Sequence, residues 1–364
     1  MNDRASPLLE PFRIGALELR NRVVMAPMSR YFCPDGVPTE AVAAYYERRA
    51  RHGVGLIVTE GTYIGHPSAA SYEGVPHFHG AGLDGWAMVR ERVHAAGGRI
   101  FPQLWHTGSF RRPGDGPDPA VPAFGPSENL NAYAQTTEPT KAMTESDIAE
   151  VIDAYAQAAA DAQRLGFDGV ELHGAHGYLI DEFLWAGTNR RSDRYGGDLV
   201  GRTRFGVEVV TAVRRRVGPD FPVSLRFSQW KQQDYKARLA ETPDDLRRLL
   251  EPFAEAGVSL FHASTRRYWE PAFEGSPLTL AGWAKRLTGR PALAVGSVGL
   301  DQAGLGSAAP ASIDALEACL DRGEFDLVAV GRALLADPLW LEKIREGRWS
   351  EALGYDKALL ERLY

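Results

Sequence analysis

Short runs of apolar and β-branched residues recur along the chain. Each is followed by turn residues and then by a longer stretch with apolar positions three and four apart. The runs are Arg22-Val-Val-Met-Ala-Pro, Gly55-Leu-Ile-Val-Thr-Glu, Arg99-Ile-Phe-Pro-Gln-Leu-Trp and Gly169-Val-Glu-Leu-His. Then come Val223-Ser-Leu-Arg-Phe, Val258-Ser-Leu-Phe-His-Ala, Ala292-Leu-Ala-Val-Gly and Asp326-Leu-Val-Ala-Val-Gly. Several are almost continuously apolar, as strands buried on both faces are. Between them the spacing predicts helices. One covers 148–165 behind the cap Thr144-Glu-Ser-Asp; another covers 244–256 behind Thr242-Pro243 and stops at Gly257.

Eight strand–helix units in alternation predict an α/β protein built as a (β/α)8 TIM barrel, which needs about 250 residues. The chain has 364, so the surplus must lie in added elements. Phe12-Arg-Ile-Gly-Ala-Leu-Glu-Leu-Arg reads as an N-terminal hairpin plugging the barrel bottom. The largest insertion, 107–144, follows strand three and is rich in Pro and Gly; a loop of that length predicts an active-site lid. A doubly wound sheet is the competing architecture, but no Gly-x-Gly-x-x-Gly follows the first strand.

Composition narrows the partners. A hydrophobic content of 44% allows a sizeable core, and a net charge of −6 argues against nucleic acid or an acidic membrane surface. The clusters Arg111-Arg112 and Arg214-Arg215-Arg216 read as solvated faces. Two distant cysteines, Cys33 and Cys319, exclude a disulfide framework. Met-Asn-Asp-Arg-Ala-Ser-Pro lacks a signal-peptide core, and no apolar run reaches membrane-spanning length. The expectation is a soluble cytoplasmic protein, monomer or homo-oligomer, acting on a small molecule.

In such a barrel the chemistry sits at the C-terminal ends of the strands. His173-Gly-Ala-His176-Gly-Tyr178 places two imidazoles and a phenol within six residues at the end of strand four. Donors beside a proton-giving phenol suit a polarised carbonyl or nitro group. Gly174 and Gly177 suggest close backbone approach to something bound. A metal pair is the alternative, with Asp181 as a third ligand. The turns after strands seven and eight, Gly296-Ser297-Val298-Gly299 and Gly331-Arg332, offer the backbone donors and guanidinium that a phosphate needs.

With these residues the chain resembles the Old Yellow Enzyme family of FMN-dependent ene-reductases, from Pro11-Phe12 to Asp337-Pro338. The most specific marker is His-Gly-Ala-His-Gly-Tyr-Leu followed by Asn189-x-Arg191-x-Asp193-x-Tyr195-Gly196-Gly197. The resemblance implies one domain over 1–364 that binds FMN non-covalently and takes reducing equivalents from NADPH or NADH. Pro27, Met28 and Ser29 would lie along the flavin ring, Gln103 and Arg226 at its pyrimidine end, and Gly61 would permit close approach. Gly296, Ser297, Gly331 and Arg332 would hold the phosphate. His173 and His176 would grip the oxygen of an activated alkene, and Tyr178 would deliver a proton. Trp105, Tyr31 and Trp269 would wall the substrate pocket.

Some positions depart from the family pattern. Ser109 stands where many relatives have Arg, and Ala186 replaces a common proline. The segment Ser228-Gln-Trp-Lys-Gln-Gln-Asp-Tyr235 is unusually polar and aromatic. Within the same fold, a flavin-dependent dehydrogenase or demethylase and a dienoyl-CoA reductase are rivals, and both usually carry extra domains and iron–sulfur cysteines. From other classes, a metal-dependent hydrolase using the His pair and a non-catalytic flavin-binding protein also compete.

Overall fold

A computed structural model describes residues 6–304 and 306–364; the first five residues of the N-terminal stretch read above lie outside them. Eight parallel strands close into a barrel. In order they are Val23–Met25, Leu56–Tyr63, Arg99–Trp105, Val170–His176, Val223–Lys231, Leu260–Ser264, Ala292–Val295 and Leu327–Val330. All eight runs predicted as strands are present. The fifth is longer than expected, continuing past Phe227 to Lys231, because after a bulge of extra residues in the fifth strand itself Lys231 pairs with His176.

The two-residue strand period divides the apolar residues into two cores. Val23, Ile57, Ile100, Val170, Leu225 and Val328 face the helices. Their neighbours Val24, Leu56, Val58, Phe101, Leu293 and Leu327 fill the lumen together with Leu260. Ile14 and Leu19 of the antiparallel hairpin, Phe12–Ile14 with Leu17–Leu19, join that inner cluster and close its lower end. Such packing makes the lower barrel a solid floor rather than a pore.

The outer helices begin where their caps dictate. Thr144 and Asp147 form a capping box that opens the helix Glu145–Arg164. Thr242 and Asp245 repeat it for Pro243–Ala256, and Gly257 ends that helix with φ of 109°. No helix among the described residues is long and apolar enough to cross a membrane.

The insertion 107–144 is pinned at its base. Arg111 is buried and donates to the carbonyls of Asp115 at 2.7 Å, Gly116 at 2.7 Å, Asp118 at 2.6 Å and Val121 at 3.1 Å, as well as to Ala70. The reading of Arg111 as a solvated charge is thus corrected. A guanidinium with five donors can organise a loop that has few apolar residues to bury.

Candidate functional site

Polar residues replace apolar ones in the upper lumen, and strand register aligns them. Gln103 lies beside Glu171 and Glu171 beside Ser224. One row higher, His173 is beside Arg226 and Arg226 beside His262. Glu171, fully buried, accepts from Gln103 Nε2 at 2.9 Å, Ser224 Oγ at 2.9 Å and His262 Nδ1 at 2.8 Å. Burial opposes its charge, but His262, Arg226 and the Gln103 amide outweigh that and hold the carboxyl below its usual range. Burial lowers the His262 pKa, with Glu171 opposing it. Glu171 thereby gives Arg226 a counter-charge and fixes the Gln103 amide. Sequence reading missed Glu171 and His262, although a charged residue within the apolar run Val-Glu-Leu-His was the available signal.

Above this layer lies a cavity of about 160 Å³ lined by Pro27, Ser29, Gly61, Gln103, Trp105, His173, His176, Tyr178 and Arg226. The neighbouring cavity, about 560 Å³, shares His176 and Arg226 and extends to Gly296, Ser297 and Arg332. Met28 touches the Gly331 position behind this wall, its sulfur 3.4 Å from where a Cβ would stand. Tyr31, expected in the pocket wall, lines neither cavity; it is half-exposed and packs edge-on to Tyr72.

His173 presents Nδ1 without a hydrogen-bond partner although the atom is buried. Its ring meets Tyr178 edge-to-face at 4.9 Å and His176 at 5.2 Å. His176 bonds through Nε2 to Ser264 Oγ at 2.7 Å and stacks on Trp230 at 4.4 Å. Arg226 also donates to Ser264 Oγ, at 3.2 Å. With one hydrogen and two lone pairs, the Ser264 hydroxyl serves both His176 Nε2 and the Arg226 guanidinium. Burial first, and then Arg226, depress both histidines well below the ordinary imidazole range. Both are therefore neutral donors at pH 7, not imidazolium ions.

Several expectations are corrected here. Trp269 lines neither cavity: it is 42% exposed in the turn after strand six, while its neighbour Tyr268 takes the inward position against Phe325. Trp230 stands at the cavity wall instead. Gly177, with φ of 84°, is approached by the protein itself, since a Cβ there would lie 2.1 Å from the Gln233 amide. A Cβ at Gly174 would likewise meet Leu225 and the Arg226 carbonyl. At Gly61 the crowding atom is in Trp105, 2.6 Å from a Cβ position. Asp181, considered as a metal ligand, is paired with Lys231 at 2.8 Å, and both side chains are fully buried. Among the described residues, no three His, Cys, Asp or Glu side chains are grouped to hold a metal ion.

Ser109 contacts a second buried carboxyl. Its backbone N–H donates to both oxygens of Glu182, at 3.2 and 3.3 Å, and its hydroxyl accepts from Asn131 at 2.9 Å. Burial pushes Glu182 up to about 8, so at neutral pH it is largely the uncharged acid.

The donors suit an anionic, planar, hydrogen-bonding group. Arg226 Nε and Arg332 Nη1 are buried and lack protein partners. Unpaired buried N–H groups are costly, so such atoms mark places where a ligand completes the structure. Gly296, with φ of 144°, admits no side chain, because a Cβ would stand 2.7 Å from the Thr265 carbonyl.

Residues 7–351 match the model of the NADH:flavin oxidoreductase / NADH oxidase family. The chain belongs to this family, which includes the Old Yellow Enzymes. It is 35% identical over 351 residues to the NADH oxidase of Thermoanaerobacter brockii, covering 93% of this chain and 50% of that protein. It is 39% identical over 236 residues to 12-oxophytodienoate reductase 7 of Oryza sativa subsp. japonica, covering 62% and 59% respectively. The chain thus spans about half to three fifths of the length of these relatives. Morphinone reductase in complex with tetrahydroNAD superposes with a TM-score of 0.83 at 31% identity, over 97% of this chain and 93% of that one. The old yellow enzyme homologue from Zymomonas mobilis gives 0.77 at 26% identity, over 93% and 92%.

Proposed function

We propose that this chain is an FMN-dependent oxidoreductase that uses NADH or NADPH to reduce the C=C bond of activated alkenes. Enones, enals and nitroalkenes are the substrate class, with quinones and nitro compounds as further acceptors. Residues 1–364 form one domain for this purpose, with 107–144 as the loop covering the site. The observation that carries the reading is the cavity that sets His173, His176 and Tyr178 against Ser29, Gln103 and Arg226.

When bound, FMN would supply the hydride-transfer chemistry linking nicotinamide oxidation to reduction at the alkene β-carbon, in the ping-pong order proposed for this site. The chain's residues position and polarise. Pro27, Met28 and Ser29 would line the ring, Gln103 would pair with its pyrimidine end, and Gly296, Ser297, Gly331 and Arg332 would hold the phosphate. Arg226, backed by Glu171, places a fixed cation where charge accumulates on reduction; preorganised charge of this kind needs no rearrangement during the reaction. Neutral His173 and His176 donate to the substrate's activating oxygen. Tyr178, raised well above its ordinary pKa chiefly by burial, keeps its proton for the α-carbon. Trp105 confines the substrate.

The test of the cofactor is direct. Purified protein should be yellow and release stoichiometric FMN on denaturation, and Arg226→Ala should lose flavin or slow its reduction by nicotinamide. A colourless protein that cannot be reconstituted with FMN rejects the proposal.

The histidines give a second prediction. His173→Ala and His176→Ala should each weaken binding of a phenol or enone to the oxidised enzyme with FMN retained. One neutral hydrogen bond contributes about 0.5–1.5 kcal/mol, so a few-fold to roughly ten-fold loss per histidine is expected. Because burial keeps both rings neutral, phenol affinity should be flat between pH 6 and 8. Titrations matching wild type in both variants would place the acceptor elsewhere.

A further inference from the structure

The polar extension of strand five, unassigned by anything above, reaches the phenol of Tyr178. Gln232 Nε2 lies 2.7 Å from the Tyr178 oxygen. We propose that Gln232 is a positioning residue for Tyr178, donating to the phenol oxygen and thereby directing the phenol's own hydrogen to the substrate. The inference rests on the reading of Tyr178 as the proton donor.

An amide nitrogen only donates, so the phenol oxygen is the acceptor in this bond. The hydroxyl hydrogen then needs another direction. The phenol ring sits against Phe110 at 4.5 Å, Trp105 at 4.8 Å and His173 at 4.9 Å. No acceptor for the hydroxyl hydrogen is present among the described residues, so it is left for the cavity that Tyr178 lines. In the proposed step the Tyr178 O–H bond breaks and its electron pair stays on oxygen. The proton forms a C–H bond with the carbanion pair left at the α-carbon after hydride addition. The resulting phenolate then receives the Gln232 N–H, and solvent later restores the proton.

The extension is built to hold this amide still. Gln232 donates its backbone N–H to the His176 carbonyl at 3.3 Å. Its neighbour Lys231 binds Asp181 at 2.8 Å and the Ser228 carbonyl at 3.1 Å. Asp181 in turn accepts the backbone N–H of Gly177 at 2.7 Å. Trp230 stacks on His176 and donates to the Ser264 carbonyl at 3.2 Å. On the other side, Gln233 donates to the Gly177 carbonyl at 3.3 Å, so residues flanking Gln232 both ways are tied to the turn that carries Tyr178.

Two shape-conserving variants test it. Gln232→Met removes the donor; Gln232→Glu exchanges it for an acceptor that takes the phenol hydrogen away from the cavity. With 2-cyclohexenone as probe, Gln232→Met should slow the alkene half-reaction roughly three- to ten-fold, the effect of one hydrogen bond. Its solvent isotope effect should rise while cyclohexenone binding and flavin reduction stay unchanged. Gln232→Glu should be slowed on the order of ten- to a hundred-fold at pH 8, up to the lower end of the usual general-acid contribution. That rate should recover as pH falls, because protonation turns the new carboxyl back into a donor. Charged or titratable groups around the phenol and the new carboxyl are His173, His176, Arg226, Tyr31, Tyr63, Tyr72, Lys231, Asp181 and Glu182; Glu182, pushed up to about 8, ionises in this range in wild type too, so the recovery is read as the variant-to-wild-type rate ratio at each pH. Tyr178→Phe is the reference. If it is slow while both Gln232 variants match wild type, the positioning role is overturned and the donor reading stands. If both half-reactions and ligand binding decline together, Gln232 is structural and the proposal fails. A fast Tyr178→Phe removes the donor reading and this inference together.

Discussion

Replacing Tyr178 with Phe is expected to slow reduction of an enone by roughly 10²–10⁴-fold, the usual contribution of a general acid. The ring is packed on three sides by Phe110, Trp105 and His173, so Phe should occupy the same position and only the hydroxyl is lost. Burial raises the phenol well above its ordinary range, which leaves it protonated throughout neutral and mildly alkaline pH. Reduction of the flavin by nicotinamide requires no proton at this atom and should change little. Quinone and nitro acceptors take protons from solvent and should also be spared. Stopped-flow measurement of the two half-reactions separates the cases. Equal slowing of both would make Tyr178 a shaping residue, and an undiminished enone rate would remove it from the mechanism.

The second large effect concerns stability. Lys231 and Asp181 form an ion pair 2.8 Å apart with neither side chain exposed. Lys231→Ala should destabilise the holoenzyme by about 3–5 kcal/mol, because it leaves Asp181 buried without its cation. Asp181→Ala should cost a similar amount for the converse reason. Burial raises the Asp181 pKa and lowers that of Lys231, so each group favours its neutral form once the partner is gone. The double variant Asp181→Leu with Lys231→Met should recover much of the loss, since an apolar pair has no charge to desolvate. Urea unfolding of the four holoenzymes compares these stabilities directly. A single-variant cost below about 1 kcal/mol would mean that water reaches the pair, as at an exposed salt bridge. The single variants should also slow enone reduction, because Asp181 holds the Gly177 N–H between His176 and Tyr178.

Local patterns made much of this protein legible from its residues. Eight apolar runs, the caps at Thr144 and Thr242, and the stop at Gly257 required only periodicity and turn chemistry. The hairpin plug was readable because Ile14 and Leu19 alternate with polar neighbours and need an apolar surface to cover. His173, His176 and Tyr178 stood out because three chemically active side chains lay within one strand end. Those features depend on residues close together in the chain, and neighbouring residues adopt their relative positions for local reasons.

Only the closed barrel decided the rest. Register between strands distant in sequence set Glu171 beneath Arg226 and against His262, turning separate polar residues into one buried network. It carried Gln232 to Tyr178 and Trp230 to His176, while the turn after strand six left Trp269 facing outward. Arg111 became a buried anchor because the carbonyls it needs come from the folded loop. At Gly177, the tight approach came from the protein's own strand-five extension. The physical reason is the range of the forces involved. Strand and helix formation follow from backbone conformation and nearby side-chain spacing, whereas desolvation, charge pairing and hydrogen-bond direction depend on what packing brings within a few ångströms.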